Sequence, residues 1–282
     1  MKTLVKSFFA VSAITGLLLA ESAFAGTVPN CNVSDVQVTN ISIAGGGTVY
    51  SGAGQSAAEC VGAYTGNAIP IPTTNLGYYG DGLFNGAPQG GNGSAIFPNG
   101  IFSSQYSAVD LNNDGQVDPG WILLGKWAPG NNGAFSFTPS LIGGTNTIVL
   151  SSWFTATGTG SSGTWSFTPD ANVVSRVLPI LGSNLFDQFA LSFMAGSRFA
   201  AYDFTGAQFG MPTSPDTIFN FSGTWDMSHT LLNNGGQAAA LSHIDLYVRD
   251  PNGGDTQIPE PASLALLGLA LAGLGFSRRK AA

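Results

Sequence analysis

Short runs in which large apolar residues alternate with polar ones recur along this 282-residue chain. The clearest runs contain Phe135 and Phe137; Trp165 and Phe167; Phe189, Leu191 and Phe193; Phe219 and Phe221; and Ile244, Leu246 and Val248. Period-two alternation bounded by Gly, Asn, Pro and Ser is typical of half-buried strands joined by turns. Because no stretch of the body has a convincing long helical period, the sequence predicts an all-β fold, as a single β-sandwich or jelly-roll-like domain.

The composition favours a folded body over a disordered one. The chain has 39 glycines and only 9% charged residues, which could indicate disorder. It also has 19 Phe, 7 Tyr and 5 Trp, which is more apolar surface than disordered chains carry. The segment 45–100 is richer in Gly, Asn and Pro and poorer in strand pattern, and it predicts long surface loops rather than a separate domain.

The N-terminus has the three-part pattern of a secretory signal. Two lysines precede a mostly apolar run over 8–20, and small residues occupy both positions that a signal peptidase reads before the cut. The sequence therefore predicts a signal peptide over 1–25, cleaved by signal peptidase between Ala25 and Gly26.

The C-terminus carries Pro259-Glu260-Pro261, an uncharged apolar stretch over 262–276, and Arg278-Arg279-Lys280. Fifteen helical residues would span about 22 Å, less than the roughly 30 Å hydrocarbon core of a bilayer. Basic residues after the stretch favour a cytoplasmic end, as the N-terminal lysines do. The two ends together predict a transmembrane sorting helix in the inner membrane, with the body in the periplasm.

This order of Pro-Glu-Pro, apolar helix and terminal basic cluster resembles the PEP-CTERM sorting signal, over about the last 24 residues (259–282). The resemblance implies a Gram-negative bacterium, an exosortase that removes the tail, and association with extracellular polysaccharide and biofilm or floc formation. It implies a final location at the cell surface or in the extracellular matrix. It is an address, so the activity of the body has to be argued from the body itself.

The predicted body, residues 26–258, is acidic. It contains fourteen acidic residues and four basic ones, a net charge near −10; the basic residues are Lys126, Arg176, Arg198 and Arg249. This balance gives no electrostatic footprint for nucleic acid, so no nucleic-acid partner is expected, and it equally disfavours anionic lipid surfaces. Divalent cations and neutral sugars stay open. Cys31 and Cys60 are the only cysteines, and in an oxidising compartment such a pair predicts a disulfide rather than a reactive thiol or a metal pair.

One segment has the spacing of a calcium loop. The candidate oxygen ligands are Asp110, Asn112, Asp114, Gln116 through its backbone carbonyl, and Asp118, with Gly115 at the sharp turn. The pattern resembles the loops of EF-hands, dockerins and thrombospondin-type repeats. It departs from the first two at position 12, where Trp121 replaces the acidic ligand. The alternative is an ordinary Asn/Asp/Gly turn between strands.

Catalytic patterns are weak. Gly158–Gly163 spells Gly-x-Gly-x-x-Gly, but a strand-like segment follows it where a dinucleotide site needs a helix. The chain has two histidines, His229 and His243, and no Gly-x-Ser-x-Gly motif. In Ser242-His243-Ile244-Asp245, neighbouring side chains are expected on opposite faces of a strand. A pair of carboxylates for glycoside chemistry cannot be identified from spacing.

Two further patterns have more than one interpretation. Ser-Gly-Thr-Trp occurs at 162–165 and at 222–225, and Ser-Phe-Thr-Pro at 136–139 and 166–169. These repeats indicate either hairpins of similar build or shared strand chemistry. The tryptophans are either core residues, which we favour, or platforms for stacking sugars; they are Trp121, Trp127, Trp153, Trp165 and Trp225.

The sequence as a whole predicts a non-enzymatic protein of the extracellular polysaccharide matrix, structural or adhesive in role. The alternative is a calcium-dependent, lectin-like carbohydrate-binding module. The rival class is a secreted carbohydrate-active enzyme.

Overall fold

The computed structural model describes residues 31–66, 77–89, 94–102, 110, 115–116, 118–129, 153–158, 160–169, 186, 188–211 and 217–249. The predicted signal peptide, the sorting tail and the predicted strand around Phe135 and Phe137 lie outside these residues. Within the described ranges, no helix is long and apolar enough to cross a membrane.

Twelve strands form within the described residues. They are β1 Val36–Ile43, β2 Thr48–Ser56, β3 Glu59–Thr65, β4 Pro88–Gln89, β5 Ser94–Ala95, β6 Trp121–Trp127, β7 Phe154–Thr157, β8 Ser162–Phe167, β9 Gln188–Ala195, β10 Arg198–Thr205, β11 Phe219–Asp226 and β12 Leu241–Arg249. Every predicted run that lies in the described part coincides with one of these strands. Because β8 begins at Ser162, the glycine-rich segment before it opens a strand and not a helix, as predicted.

The strands form two five-stranded antiparallel sheets and one short two-stranded sheet. The first sheet has the order β2-β1-β11-β8-β7, and the second has the order β3-β10-β9-β12-β6. In the described part of the chain, helical structure is limited to short 3-10 turns at Val33–Asp35, Leu83–Asn85 and Gly206–Phe209. For the described residues, the all-β prediction is confirmed.

The inner faces of the two sheets share one hydrophobic core. Phe189 of the second sheet lies 5.0 Å from Phe221 of the first, measured between ring centroids, and Phe193 lies 5.5 Å from Trp225. The alternating residues of β9 and β12 that were predicted to form apolar faces are buried in this core. Burial of so many aromatic rings is the main source of stability for such a fold.

The two Ser-Gly-Thr-Trp segments lie side by side in β8 and β11. Their antiparallel register sets Gly223 opposite Trp165 and Gly163 opposite Trp225. A Cβ atom on Gly223 would lie 2.7 Å from Trp165 Nε1, and one on Gly163 would lie 2.9 Å from Trp225 Cε2. Each indole therefore fills the space in front of the partner strand's glycine. The repeat reflects the pairing of these two strands with each other.

The outer face of the second sheet is covered by residues 77–89 and 94–102, the described part of the segment 77–102. Phe84 stacks on Tyr247 with ring centroids 3.9 Å apart and meets Trp121 edge-on at 5.7 Å. Asn85 fixes the segment, because its side chain donates to the carbonyl oxygen of Trp121 and accepts from the amide of Trp121. The prediction of long surface loops over 45–100 is wrong for most of its described residues, since β2, β3 and this covering cluster lie there.

A disulfide joins the two sheets near the start of the body. Cys31 precedes β1 of the first sheet and Cys60 lies in β3 of the second; the two are bonded, with their Cα atoms 6.1 Å apart. The chain crosses from β2 to β3 through Ala57 and Ala58 alone. A bond closing a loop of this length contributes about 3.5 kcal/mol on the chain-entropy model.

The packing of indole against glycine predicts a steep cost for one methyl group. Gly223→Ala would place a Cβ against Trp165 Nε1 and the carbonyl oxygen of Gln37, so we expect the free energy of unfolding to fall by about 1–3 kcal/mol. Gly160→Ala is the matched control, because its Cβ would meet nothing within 4 Å. Urea unfolding followed by tryptophan fluorescence measures both; equal stability of the two variants would contradict the packing.

Candidate functional site

The outer face of the first sheet is an array of small hydroxyl side chains. Two rows cross the strands β7, β8 and β11: Thr155, Ser166 and Ser222 form one row, and Thr157, Thr164 and Thr224 form the other. We call these six residues the hydroxyl array. Neighbouring strands lie about 4.8 Å apart and alternate residues along a strand about 6.6 Å apart, so the array has a regular grid.

Hydrogen bonds across the strands orient part of the array. The Oγ1 atom of Thr155 lies 2.7 Å from Ser166 Oγ, and Thr157 Oγ1 lies 2.6 Å from Thr164 Oγ1. In each pair one hydroxyl donates to the other, and the pair keeps further donor and acceptor capacity, because a hydroxyl has one donor and two acceptor positions. Threonine is also stiff about χ1. The array is therefore partly pre-oriented.

The bulge in β1 extends the array to a fourth strand. The register between β1 and β11 shifts between Val38 and Asn40, and the extra residue Thr39 donates a hydrogen bond to the carbonyl oxygen of Ser222 at 3.3 Å. A partly open depression of about 280 Å³ is lined by residues from Thr39 of β1 across the array to β7, so a ligand in it could contact several strands.

The first sheet is almost free of charge. Its five strands contain no Lys, Arg, Glu or His, and one Asp, Asp226 at the end of β11. The charged residues of the described strands lie otherwise in the second sheet, and they are Glu59, Lys126, Arg198, Asp203, Asp245 and Arg249. Within an acidic body, this face is a neutral one.

Sequence reasoning missed the array. Its signal was present as hydroxyl residues between the apolar positions of β8 and β11, in Thr164-Trp165-Ser166-Phe167 and in Phe221-Ser222-Gly223-Thr224. The apolar positions predict which side of each strand faces the core, and they carry no information about the opposite side.

The five tryptophans do not form a sugar-stacking surface. Each is between 1% and 4% exposed; they are Trp121, Trp127, Trp153, Trp165 and Trp225. Their interpretation as core residues is confirmed. Aromatic stacking on an exposed indole is therefore not available to a ligand of this body.

The predicted calcium loop is described only in part. Asn112 and Asp114 lie outside the described residues, as do the other members of the loop except Asp110, Gly115, Gln116 and Asp118. The carboxylate oxygen Oδ2 of Asp110 accepts a hydrogen bond from the Gly115 amide at 2.8 Å, which joins positions 1 and 6 of the predicted loop.

Asp118, the last predicted ligand, has a structural contact. Its side chain is 2% exposed, and its Oδ1 accepts from the Tyr79 amide at 2.8 Å. This bond ties the covering segment 77–102 to the start of β6. Among the described residues, no three His, Cys, Asp or Glu side chains come close enough to hold a metal. Calcium binding stays a prediction.

A buried polar network crosses the outer face of the second sheet. Gln188 Nε2 donates to both carboxylate oxygens of Asp203, at 2.9 and 2.8 Å, and Gln188 Oε1 accepts from Arg249 Nη1 at 3.3 Å. Burial raises the pKa of Asp203 to about 7; the nearby charge of Glu59 acts in the same direction, and Gln188 and Arg249 oppose it. Asp203 therefore titrates well above the usual range of a carboxyl.

The histidine motif lies at a register shift of β12, between Leu241 and His243. Ser242 is exposed and His243 is buried, and Ser242 Oγ lies 3.3 Å from His243 Nδ1. His243 Nε2 lies 3.4 Å from Asp245 Oδ2. Both distances are long for hydrogen bonds that would relay a proton.

Comparison with known proteins gives a match at the end of the chain. The family model described as the PEP-CTERM protein-sorting motif matches residues 257–280. The tail is a PEP-CTERM sorting motif. No curated protein and no solved structure matches this chain.

The PEP-CTERM motif fixes the coarse fate of the protein. It implies export, a membrane-anchored intermediate, and cleavage by an exosortase to give an extracellular or surface protein. The matched residues include the Pro-Glu-Pro, the apolar stretch and the three basic residues on which the resemblance was based. The match begins at residue 257, after the last described residue of the body, so it leaves the role of the hydroxyl array open.

The raised pKa of Asp203 predicts how stability changes with pH. Its carboxyl holds a proton in the folded protein that the unfolded chain releases between about pH 4 and pH 7, so the free energy of unfolding falls as pH rises through this window. The slope is at most about 1.4 kcal/mol per pH unit. We expect Asp203→Asn to flatten it, as measured by urea unfolding across the window.

Asp226→Asn is the control for this titration. Hydrogen bonds from Ser228 hold the pKa of Asp226 below its usual value, so this carboxyl is ionised in both states above about pH 5. Its replacement should leave the slope between pH 5 and pH 7 unchanged. A wild-type slope that survives in Asp203→Asn would show that another group carries it.

Proposed function

We propose that this protein is a non-enzymatic component of the extracellular polysaccharide matrix, with a structural or adhesive role in a biofilm. Its body, residues 26–258, would act as a single sandwich-like domain. Signal peptidase would release it at Ala25–Gly26, and exosortase would remove the tail.

The observation that carries this proposal is the PEP-CTERM motif over 257–280. The motif supports an extracellular or surface location for the processed body, and the resemblance to this class of sorted proteins implies a polysaccharide environment there. A body with a net charge near −10 would not bind anionic polymers by charge. Neutral polysaccharide is the matrix component whose chemistry fits the protein best.

Two structural observations support an adhesive role without catalysis. The hydroxyl array offers a broad, open and neutral surface, in contrast to the enclosed clefts in which catalytic groups usually lie. The contacts of His243 with Ser242 and Asp245, at 3.3 and 3.4 Å, are long for a working relay. The rival proposal, a secreted carbohydrate-active enzyme, rests on acidic residues whose pairing is not established.

A second candidate is a calcium-dependent carbohydrate-binding module. The observation in its favour is the hydrogen bond from the Gly115 amide to Asp110, because it closes the loop that would bring the predicted oxygen ligands around one centre. In that case calcium would order the loop, and sugar binding would depend on the metal.

Incubation with the producing strain's own exopolysaccharide tests these candidates together. We expect the processed protein, purified from the cells that make it, to co-sediment with the polymer equally in calcium and in chelator, and to leave polymer size unchanged. Replacing Pro259, Glu260 and Pro261 with alanine gives the control, which should stay in the membrane fraction and be absent from the matrix.

Each of the remaining outcomes would favour a different function. Co-sedimentation and a melting curve that both depend on calcium would favour the lectin-like module. A fall in polymer size would favour the enzyme. If the protein associates with polymer neither in the matrix nor in the co-sedimentation assay, the proposed role is contradicted. Its partners would then be other proteins.

A further inference from the structure

We propose that the hydroxyl array is the binding surface, and that its ligand is a neutral polysaccharide chain lying across strands β7, β8 and β11. This inference rests on the proposed matrix function and deepens it, by naming the surface and the class of ligand. It is carried by the chemistry, order and exposure of the array.

The side chains of the array match the chemistry of a sugar. The array presents hydroxyl groups from Thr157, Thr164 and Thr224, all exposed, next to a second row that is partly buried at Ser166 and Ser222. Hydroxyls donate and accept at once, so they can pair with sugar hydroxyls in either direction. The threonine methyl groups add apolar contact with the carbon faces of sugar rings. No charge has to be stripped of water when such a ligand binds.

The outer face of the first sheet, which carries the array, is neutral. The strands of the first sheet carry one charged residue, Asp226, which lies at the end of β11. Exposed sheet faces of soluble proteins are normally kept soluble and free of association by charged residues such as Lys and Glu. The net negative charge of the body repels anionic polymers. The neutral face itself offers no carboxylate with which a cationic ligand could pair. A neutral polymer is the ligand that meets neither penalty.

The hydroxyl groups of the array are held in fixed positions. The cross-strand pairs at 2.7 and 2.6 Å fix Thr155 with Ser166 and Thr157 with Thr164. Behind the array, each buried indole is locked against the glycine of the next strand, at positions 165 and 223 and at 163 and 225. The backbone that carries the hydroxyls is therefore rigid, and little conformational entropy is lost when they are bound.

The shape of the depression along the array also suits a polymer. The depression along the array has a volume of about 280 Å³ and is lined by four strands, β1, β11, β8 and β7. Because it is only partly enclosed and is lined by four strands, it suits a few units of an extended chain and gives a small molecule little enclosure. Binding at one site would be weak, and many copies at one surface would strengthen it by avidity.

The test uses variants that remove hydroxyls and keep shape. We expect Thr164→Val combined with Thr224→Val to weaken binding about tenfold, since each lost hydrogen bond costs about 0.7 kcal/mol. Both residues are exposed strand residues, so valine should keep the fold, with a small loss of stability because the Thr157–Thr164 hydrogen bond is removed. A cooperative melting curve shows that the variant is folded. Thr65→Val is the control, because Thr65 is an exposed strand threonine in β3, away from the array.

The probe is the strain's own exopolysaccharide, separated by anion exchange into neutral and acidic fractions. The wild-type protein and the control should co-sediment with the neutral fraction and the double variant should not, at the same polymer concentration. If the double variant binds as the wild type does, or if binding follows the acidic fraction, the array is not the binding surface. In either case a protein still found in the matrix would leave the proposed function standing.

Discussion

Two tryptophans packed against two glycines hold the first sheet together. Trp165 lies over Gly223 and Trp225 over Gly163, so strands β8 and β11 are joined by reciprocal contacts about a shared centre. The same indoles meet phenylalanines of the second sheet, at 5.9 Å for Phe189 with Trp165. Loss of this packing would separate the strands and open the core between the sheets, because each ring buries a large apolar area on both sides.

The same four-residue pattern also determines the opposite face. In Ser-Gly-Thr-Trp, the glycine and tryptophan face the core, and the serine and threonine face outward, because side chains alternate across a strand. The packing that makes the first sheet rigid thus orders the hydroxyls on its surface. The second sheet differs: both of its faces are covered, and its charged residues, such as Asp203 and Arg249, are buried and hydrogen-bonded. One sheet is built for stability and the other is left open to solvent.

Sequence patterns predicted the apolar alternation, and therefore the strands β8, β9, β11 and β12, because one buried face imposes a period of two. They did not predict that 77–102 would cover the second sheet, since Phe84 and Asn85 act through tertiary contacts that leave no local period. The sorting tail was readable because its residues are contiguous. The hydroxyl array was not, because it exists only when three strands lie in register.

The central claim is that the neutral hydroxyl face of the first sheet meets the matrix polymer. Amide hydrogen exchange of the processed protein, with and without the neutral polysaccharide fraction, tests it most directly. We expect slower exchange in β7 and β8, the edge of the sheet that carries the array, with β12 unchanged. Slower exchange confined to residues 110–118, or to the second sheet, would contradict binding at the array.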